Sequence, residues 1–128
     1  MKKLSEREEE IMSVLWNHDG PLFIREIIDR LVKEGEPRPN FSTIATFVRG
    51  LESKGWLAHE YIGNCNRYYP IRELADYQSQ SLKSLVNRFF GGSFLNLVST
   101  LVGNEKISKD EMNKLFDEIE RQRKEDES

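Results

Sequence analysis

Apolar residues in the middle of the chain return at Ile44, Phe47, Val48 and Leu51, the three-, four- and seven-residue steps of a helix with one buried stripe. The pattern predicts a helix over residues 40–55. Its opposite face carries Ser42, Thr46, Arg49 and Ser53, with Thr43 and Ala45 beside them. An ordinary solvated helix face is rich in Glu and Lys, whose long side chains suit both helix and water. This one is short, hydroxylated and nearly uncharged. Such a face admits close approach of another surface while offering it donors and acceptors. The major groove of DNA, wide enough to take a helix, is one such surface; a neighbouring element of the protein is another.

The chain before this helix is patterned as two more. Ser5 followed by Glu8 matches a capping box, and Glu6, Glu8, Glu9 and Glu10 sit where the helix dipole favours negative charge. That acidic run reads as a helix start, with Ile11, Val14 and Leu15 facing inward and Trp16 closing the helix before Gly20-Pro21. An extended piece, residues 21–23, leads into a second helix over 24–33 with Ile24, Ile27, Ile28, Leu31 and Val32 on one face. Residues 34–39, with two prolines and a glycine, form a loop.

After the third helix, residues 56–62 and 67–71 are two aromatic-rich, strand-favouring runs around a Gly63-Asn64-Cys65-Asn66 turn, a hairpin pattern. Pro70 falls near a strand end, where a missing N–H is tolerated. Three helices followed by a hairpin is the winged-helix order, a variant of helix-turn-helix. It places the third helix in a major groove and the wing against flanking backbone or minor groove. Arg67, Asn64 and Asn66 are then candidates for phosphate contacts, which orient a protein on DNA without reading sequence.

Residues 72–128 have a different character. A helix over 73–90 carries Leu74, Tyr77, Leu85, Val86, Phe89 and Phe90, and Gly91-Gly92-Ser93 breaks it. A strongly apolar helix follows, with Phe94, Leu95, Leu97, Val98, Leu101 and Val102, ending at Gly103-Asn104. Ser108 and Glu111 open a last helix as a capping box, with Ile107 and Met112 in the staple positions and Leu115, Phe116 and Ile119 continuing its stripe. The tail over 121–128 is charged and expected to fray. Fewer than sixty residues cannot easily cover this much apolar surface alone, because burial at about 25 cal/mol per Å² barely offsets ordering entropy at that size. A two-fold dimer of interlocking helices is the simplest solution. Phe89, Phe90, Phe94, Leu97, Val98, Leu101, Leu115, Phe116 and Ile119 are its candidate interface. The alternative is a monomer whose helices pack on its own winged helix. The expected fold is mainly α: a winged-helix DNA-binding domain over 1–71, then a three-helix dimerisation region over 72–128.

Composition changes this picture little. The 128 residues suit one ordinary domain or a small domain with an appendage, and no apolar run spans a membrane. The N-terminus lacks the apolar stretch of a secretory signal, and a single cysteine makes no internal disulfide, so a cytoplasmic location is expected. The net charge of -3 argues weakly against a nucleic-acid partner, but its distribution matters more. Residues 1–36 hold six basic and nine acidic side chains, and 72–128 hold nine and eleven. Residues 37–71, with Arg38, Arg49, Lys54 and Arg67 against Glu52 and Glu60, form the net-positive third.

Catalytic chemistry finds no footing: there is no nucleophile–base pair and no glycine-rich phosphate loop. His18, His59 and Cys65 lack the paired spacing of a zinc site. No enzyme activity, metal or cofactor is expected. Oxidation of Cys65, in a turn beside the DNA face, would alter affinity, though an incidental thiol explains it as well.

Read together, these pieces resemble the BlaI/MecI-type penicillinase repressors over nearly the whole chain. The resemblance lies in Leu4-Ser5-Glu6-Arg7-Glu8, Ile11 to Trp16, Ile24-Arg25-Glu26-Ile27, Ser42-Thr43-Ile44 through Leu51, Lys54-Gly55-Trp56-Leu57, Arg67-Tyr68-Tyr69-Pro70, and Phe89-Phe90-Gly91-Gly92-Ser93 through Leu97-Val98. It implies a cytoplasmic homodimeric transcriptional repressor on dyad-symmetric operators of double-stranded DNA, often in front of antibiotic-resistance genes. In well-studied members a membrane metallopeptidase sensor answers antibiotic and the repressor is then cleaved between an Asn and a Phe. The matching position here is Thr100–Leu101, a departure that argues against proteolytic induction and against that sensor as a partner. A related copper-responsive branch carries a C-terminal cysteine cluster that this chain lacks.

The candidate DNA contacts are therefore Ser42, Thr43, Thr46 and Arg49 from the helix and Arg67 from the wing. Arg49 is the best base reader, since a guanidinium pairs bidentately with guanine. A phosphate contact or a helix-surface ion pair near Glu52 suits it too. Lys54 and Arg38 are candidates for phosphate contacts only. The competing function is a winged helix used as a protein–protein interaction module without specific DNA binding, favoured by the overall negative charge.

Overall fold

The computed structural model describes residues 3–105 and 107–127. Local capping chemistry sets the helix boundaries of its first half. Ser5 and Glu8 form the reciprocal box that starts α1 (Glu6–Trp16), with Ser5 N–H donating to Glu8 Oε1 at 2.9 Å and Glu8 N–H to Ser5 Oγ at 3.3 Å. After β1 (Leu22–Phe23), α2 (Ile24–Leu31) begins with Phe23 N–H donating to Glu26 Oε1 at 3.0 Å. It stops two residues earlier than the apolar pattern indicates, because Val32 already has extended backbone at φ -63° and ψ 127°.

Asn40 caps α3 (Phe41–Ser53), its Oδ1 accepting from Ser42 N–H at 2.8 Å and Thr43 N–H at 3.4 Å. The helix closes in a Schellman motif: Trp56 N–H reaches Leu51 O at 2.9 Å and Gly55 N–H reaches Glu52 O at 3.0 Å. Gly55 makes that reversal at φ +84°, a conformation costly for any residue with a Cβ.

β2 (Leu57–Ile62) and β3 (Cys65–Pro70) form the hairpin. The turn is shorter than the four residues expected. Cys65 pairs with Ile62, which leaves Gly63 at φ 57° and Asn64 at φ 67° as the two central residues. Positive φ at both positions is the type I′ geometry that follows strand twist. The extended piece before α2 is a strand of the same sheet. Leu22 pairs with Tyr68 and Phe23 with Arg67, giving the antiparallel order β1-β3-β2.

The core under this sheet includes Ile11, Met12, Leu15, Ile27, Ile44 and Leu51, all buried. Ala45, expected beside the outer face of α3, is also buried, because the inward stripe is one residue wider than the apolar pattern implied. Aromatic side chains seal one side. Trp16, Trp56 and Tyr77 lie with ring centroids 5.5–6.4 Å apart, and Trp16 Nε1 donates to Arg72 O at 2.8 Å. Arg72 stacks its guanidinium 4.9 Å over Trp56 and donates to Gly55 O at 3.0 Å, tying the segment after the wing to the end of α3.

Tyr77 belongs to α4 (Leu74–Phe89), and the chain divides within that helix into one compact unit through Ser81 and another from Leu82. In the second unit Gly91 and Gly92, both at positive φ, end the helix, and Ser93 Oγ accepts from Asn96 N–H at 3.2 Å to start α5 (Phe94–Glu105). Gly103 and Asn104, expected to end that helix, lie inside it. Ser108 Oγ accepts from Glu111 N–H at 3.1 Å at the start of α6 (Lys109–Glu127). This helix continues through the segment expected to fray. Arg121 pairs there with Glu118 and, at 2.8 Å, with Glu125, the three- and four-residue spacings that support an exposed helix. Among the described residues no single helix is long and apolar enough to cross a membrane. The fold is mainly α, a winged helix followed by further helices.

Candidate nucleic-acid interface

The face that α3 turns to solvent is set by what lies behind it. Ile44, Val48 and Leu51 are buried in the core, so Ser42, Thr43, Thr46 and Arg49 project outward and are exposed. Thr46 Oγ1 donates to Ser42 O at 2.9 Å, which uses its proton inside the helix and leaves its oxygen as an acceptor. Asn40 holds the first turn from outside the helix, so this face starts at a fixed position.

Charge pairing sorts the basic residues. Lys54 donates to Glu8 Oε2 at 2.7 Å, and Arg38 pairs with Asp29 at 2.6 Å. Arg67 pairs with Glu60 across the hairpin and lies 5.7 Å from the centroid of Phe23. Its Nε is buried without a hydrogen-bond partner. Three of the four cations in the net-positive third are therefore held by carboxylates. Arg49 is the fourth. It forms no ion pair among the described residues, because Glu52, one turn on, is taken by His59 Nδ1.

A cation not singled out from the sequence joins it. Arg25, in the first turn of α2, is exposed, has no ion-pair partner among the described residues, and lines the same cleft as Arg49. Its place at the start of the helix preceding the outward-facing one was the available signal. The structure thus brings Arg25 near the α3 face and sets Arg67 back into the sheet. The hairpin tip from Tyr61 to Asn66 carries no charge; Asn64 Oδ1 accepts from Tyr61 Oη at 3.3 Å, and Cys65 is an exposed free thiol.

Burial supplies the electrostatics beneath the face. Desolvation pushes the Glu8 carboxyl up, but hydrogen bonds from Lys54 and Ser5 outweigh it and hold the group below the usual carboxylate value. The pair fixes the C-terminal end of α3 to the start of α1, 46 residues away. Among the described residues no three His, Cys, Asp or Glu side chains are placed to share a metal ion.

The geometry is that of a winged helix with an outward, hydroxylated α3, and the chain's relatives are of one kind. The description of the penicillinase repressor family matches residues 4–121. The chain belongs to that family. It is 32% identical over 123 residues to the penicillinase repressor of Bacillus licheniformis, an alignment covering 94% of both chains. It is 28% identical over 116 residues to the methicillin resistance regulatory protein MecI of Staphylococcus aureus, covering 88% of this chain and 89% of that one. The protein is thus homologous to transcriptional repressors of β-lactam resistance genes. A solved complex of hsRosR-S4 shares the fold, with a TM-score of 0.55 and 18% identity over 82% of this chain and 91% of that one.

The region beyond Leu82 completes the inventory of expected residues. Phe89, Phe94, Leu101, Leu115, Phe116 and Ile119 are exposed, and Phe90, Leu97 and Val98 are half-buried. Leu95, outside that expected set, is the most exposed of the large apolar side chains among the described residues, at 74%.

Proposed function

We propose that this family member represses transcription as a homodimer on dyad-symmetric operators of double-stranded DNA, of the type in front of antibiotic-resistance genes, and does so in the cytoplasm without catalysis. Residues 1–71 read the DNA and residues 72–128 join the two copies. The observation that carries the reading is the outward face of α3: exposed hydroxyls, one unpaired guanidinium, and a backbone anchored by Asn40 at one end and the Gly55 reversal at the other. Ser42, Thr43 and Thr46 suit base edges and phosphate oxygens, and Arg49 suits a guanine. Arg67 reaches DNA from the wing by exchanging Glu60 for a phosphate. The apolar side chains exposed on α4, α5 and α6 support a second copy as partner.

Thr100–Leu101 lies inside α5, where Thr100 Oγ1 donates to Asn96 O at 2.9 Å. The residues there depart from the Asn–Phe pair cleaved in well-studied members, which weighs against a membrane metallopeptidase as the inducing partner.

The deciding measurement is operator affinity against salt. A repressor loses affinity linearly on a log–log plot as counterions are released, and Arg49→Ala costs about 1–3 kcal/mol of specific binding. Absence of salt-sensitive binding to the protein's own promoter ends the proposal. The second reading, a protein–protein interaction module, draws on the pairing of Lys54, Arg38 and Arg67 to carboxylates, which leaves few cations for phosphates.

A further inference from the structure

Between the first turn of α2, the side of α3 from Phe41 to Arg49 and the hairpin lies a cleft of about 710 Å³. Phe23, Ile24, Phe41, Ile62 and Tyr68 supply its apolar lining, and Arg25 and Arg49 reach it. That size and mixture, mostly apolar with a few convergent polar groups, match small-molecule sites of roughly 300–1,000 Å³. Glu26, the carboxylate in the lining, has Oε1 turned to Phe23 N–H at 3.0 Å. The two guanidiniums are without an ion-pair partner among the described residues.

The lining selects its occupant. An inorganic anion or a bare phosphodiester answers the guanidiniums but leaves the aromatic and aliphatic walls wet. A neutral hydrocarbon covers the walls and leaves two cations without a counter-charge. A flat organic carboxylate does both, its apolar body against Phe23, Phe41 and Ile62 and its carboxylate in the planar fork of an arginine. We propose that this cleft binds a small aromatic carboxylate. Arg49 belongs both to the cleft and to the outward face of α3, so ligand and operator compete for one guanidinium. That second step rests on the reading of α3 as the DNA-contacting helix, and the competition is reciprocal.

The test is isothermal titration calorimetry on the full-length, DNA-free protein with 2-naphthoate. One equivalent binds per chain. Neutral 2-naphthamide binds at least about tenfold more weakly, and so does 2-naphthoate to Arg49→Ala and to Ile62→Asp, each change being about 1.4 kcal/mol. Gln122→Ala, which truncates an exposed polar side chain on α6, leaves the affinity unchanged. Undiminished binding in both Arg49→Ala and Ile62→Asp overturns the site, as does naphthamide or inorganic phosphate binding as well as naphthoate. In a second arm, saturating 2-naphthoate raises the operator dissociation constant measured by fluorescence anisotropy; an unchanged constant overturns the competition. Protein that binds naphthoate by calorimetry but never binds the operator sinks the DNA reading and leaves the cleft supported.

Discussion

Ile11, Ile27, Ile44 and Leu51 are fully buried, each shared between helices that meet around the small sheet, while beyond Leu82 many large apolar side chains face solvent, Phe89 at 67% and Leu95 at 74% exposure among them. Both regions are rich in the same residue types, so composition does not separate them. What separates them is the number of partners each element has. In the first unit a helix stripe meets two other helices, a sheet face and an aromatic cluster, and the inward side chains of all three helices find cover, while Phe41, Tyr61 and Ile62 stay exposed around the α3 face and the hairpin tip. In the second, α5 is apolar around much of its surface and α6 carries only one stripe. Apolar surface that a chain leaves exposed in such quantity marks a place where something else binds.

The sharpest way to break this comparison is to truncate one leucine in each region. Leu51→Ala removes a fully buried side chain and is expected to cost about 3 kcal/mol, within the range of about 2–5 for such cavities. Leu95→Ala is expected to cost less than about 0.5 kcal/mol. Urea unfolding followed by tryptophan emission reads the first directly, since Trp16 and Trp56 both sit in the unit through Ser81. Equal losses would show that the two regions are packed alike.

Next in size is the proposed contact between copies. Leu97→Glu places a charge among the apolar side chains of α5 and is expected to weaken self-association by about 2 kcal/mol or more. Sedimentation then shows a shift toward half the mass, with tryptophan emission unchanged. A dimer that survives the substitution would move the interface elsewhere.

The outward face of α3 shows how far the sequence carried. Ser42, Thr43, Thr46 and Arg49 all project to solvent, as the three- and four-residue spacing of Ile44, Val48 and Leu51 requires. Caps were legible where the sequence spells a capping box, because Ser5 before Glu8 and Ser108 before Glu111 satisfy N–H groups only a few residues away, whereas Asn40 falls within the apolar pattern of α3 and only the structure shows it as the cap. Illegible features join distant parts of the chain. The pairing of Leu22 with Tyr68, and that of Glu8 with Lys54, depend on how finished elements meet. The pairing of Arg67, a wing candidate for DNA contact, with Glu60 is hidden in the sequence because the two become neighbours only once the hairpin register is set. Ala45 and Arg25 were missed for a related reason: a small residue can face either way, and an exposed arginine is noticed only when its neighbours pair and it does not. The charged tail of α6 was misjudged because composition suggested fraying, whereas Glu118, Arg121 and Glu125 are spaced to hold helix.

Capping gives a smaller and more local comparison. Asn40→Ala leaves the N–H groups of Ser42 and Thr43 without their acceptor and is expected to cost about 1 kcal/mol. Under the proposed function it also loosens the turn that presents Ser42 and Thr43, so operator affinity falls alongside stability. Ser108→Ala at the start of α6 is a matched cap loss in the second unit, expected to leave unfolding of the first unit unchanged by tryptophan emission.

The smallest expected effect is a dependence on pH confined to the first unit. Desolvation of the Glu8 carboxyl opposes ionisation, but Lys54 and Ser5 more than compensate, so its folded pKa lies below the unfolded 4.5. The unfolded chain then binds more protons than the folded one in this window, and stability rises with pH. The contribution is therefore complete above about pH 4.5 and disappears as pH falls through the lower folded value. Lys54→Met removes the ammonium and with it most of the stabilisation of the ionised carboxylate, so its stability curve is flatter on the acid side. Because half of the Lys54 side chain remains in water, the expected difference at neutral pH is no more than about 1 kcal/mol. Parallel acid-side slopes in the wild type and Lys54→Met would mean that the link between α1 and α3 is carried by packing at Ile11, Ile44 and Leu51, and that the ion pair only decorates it.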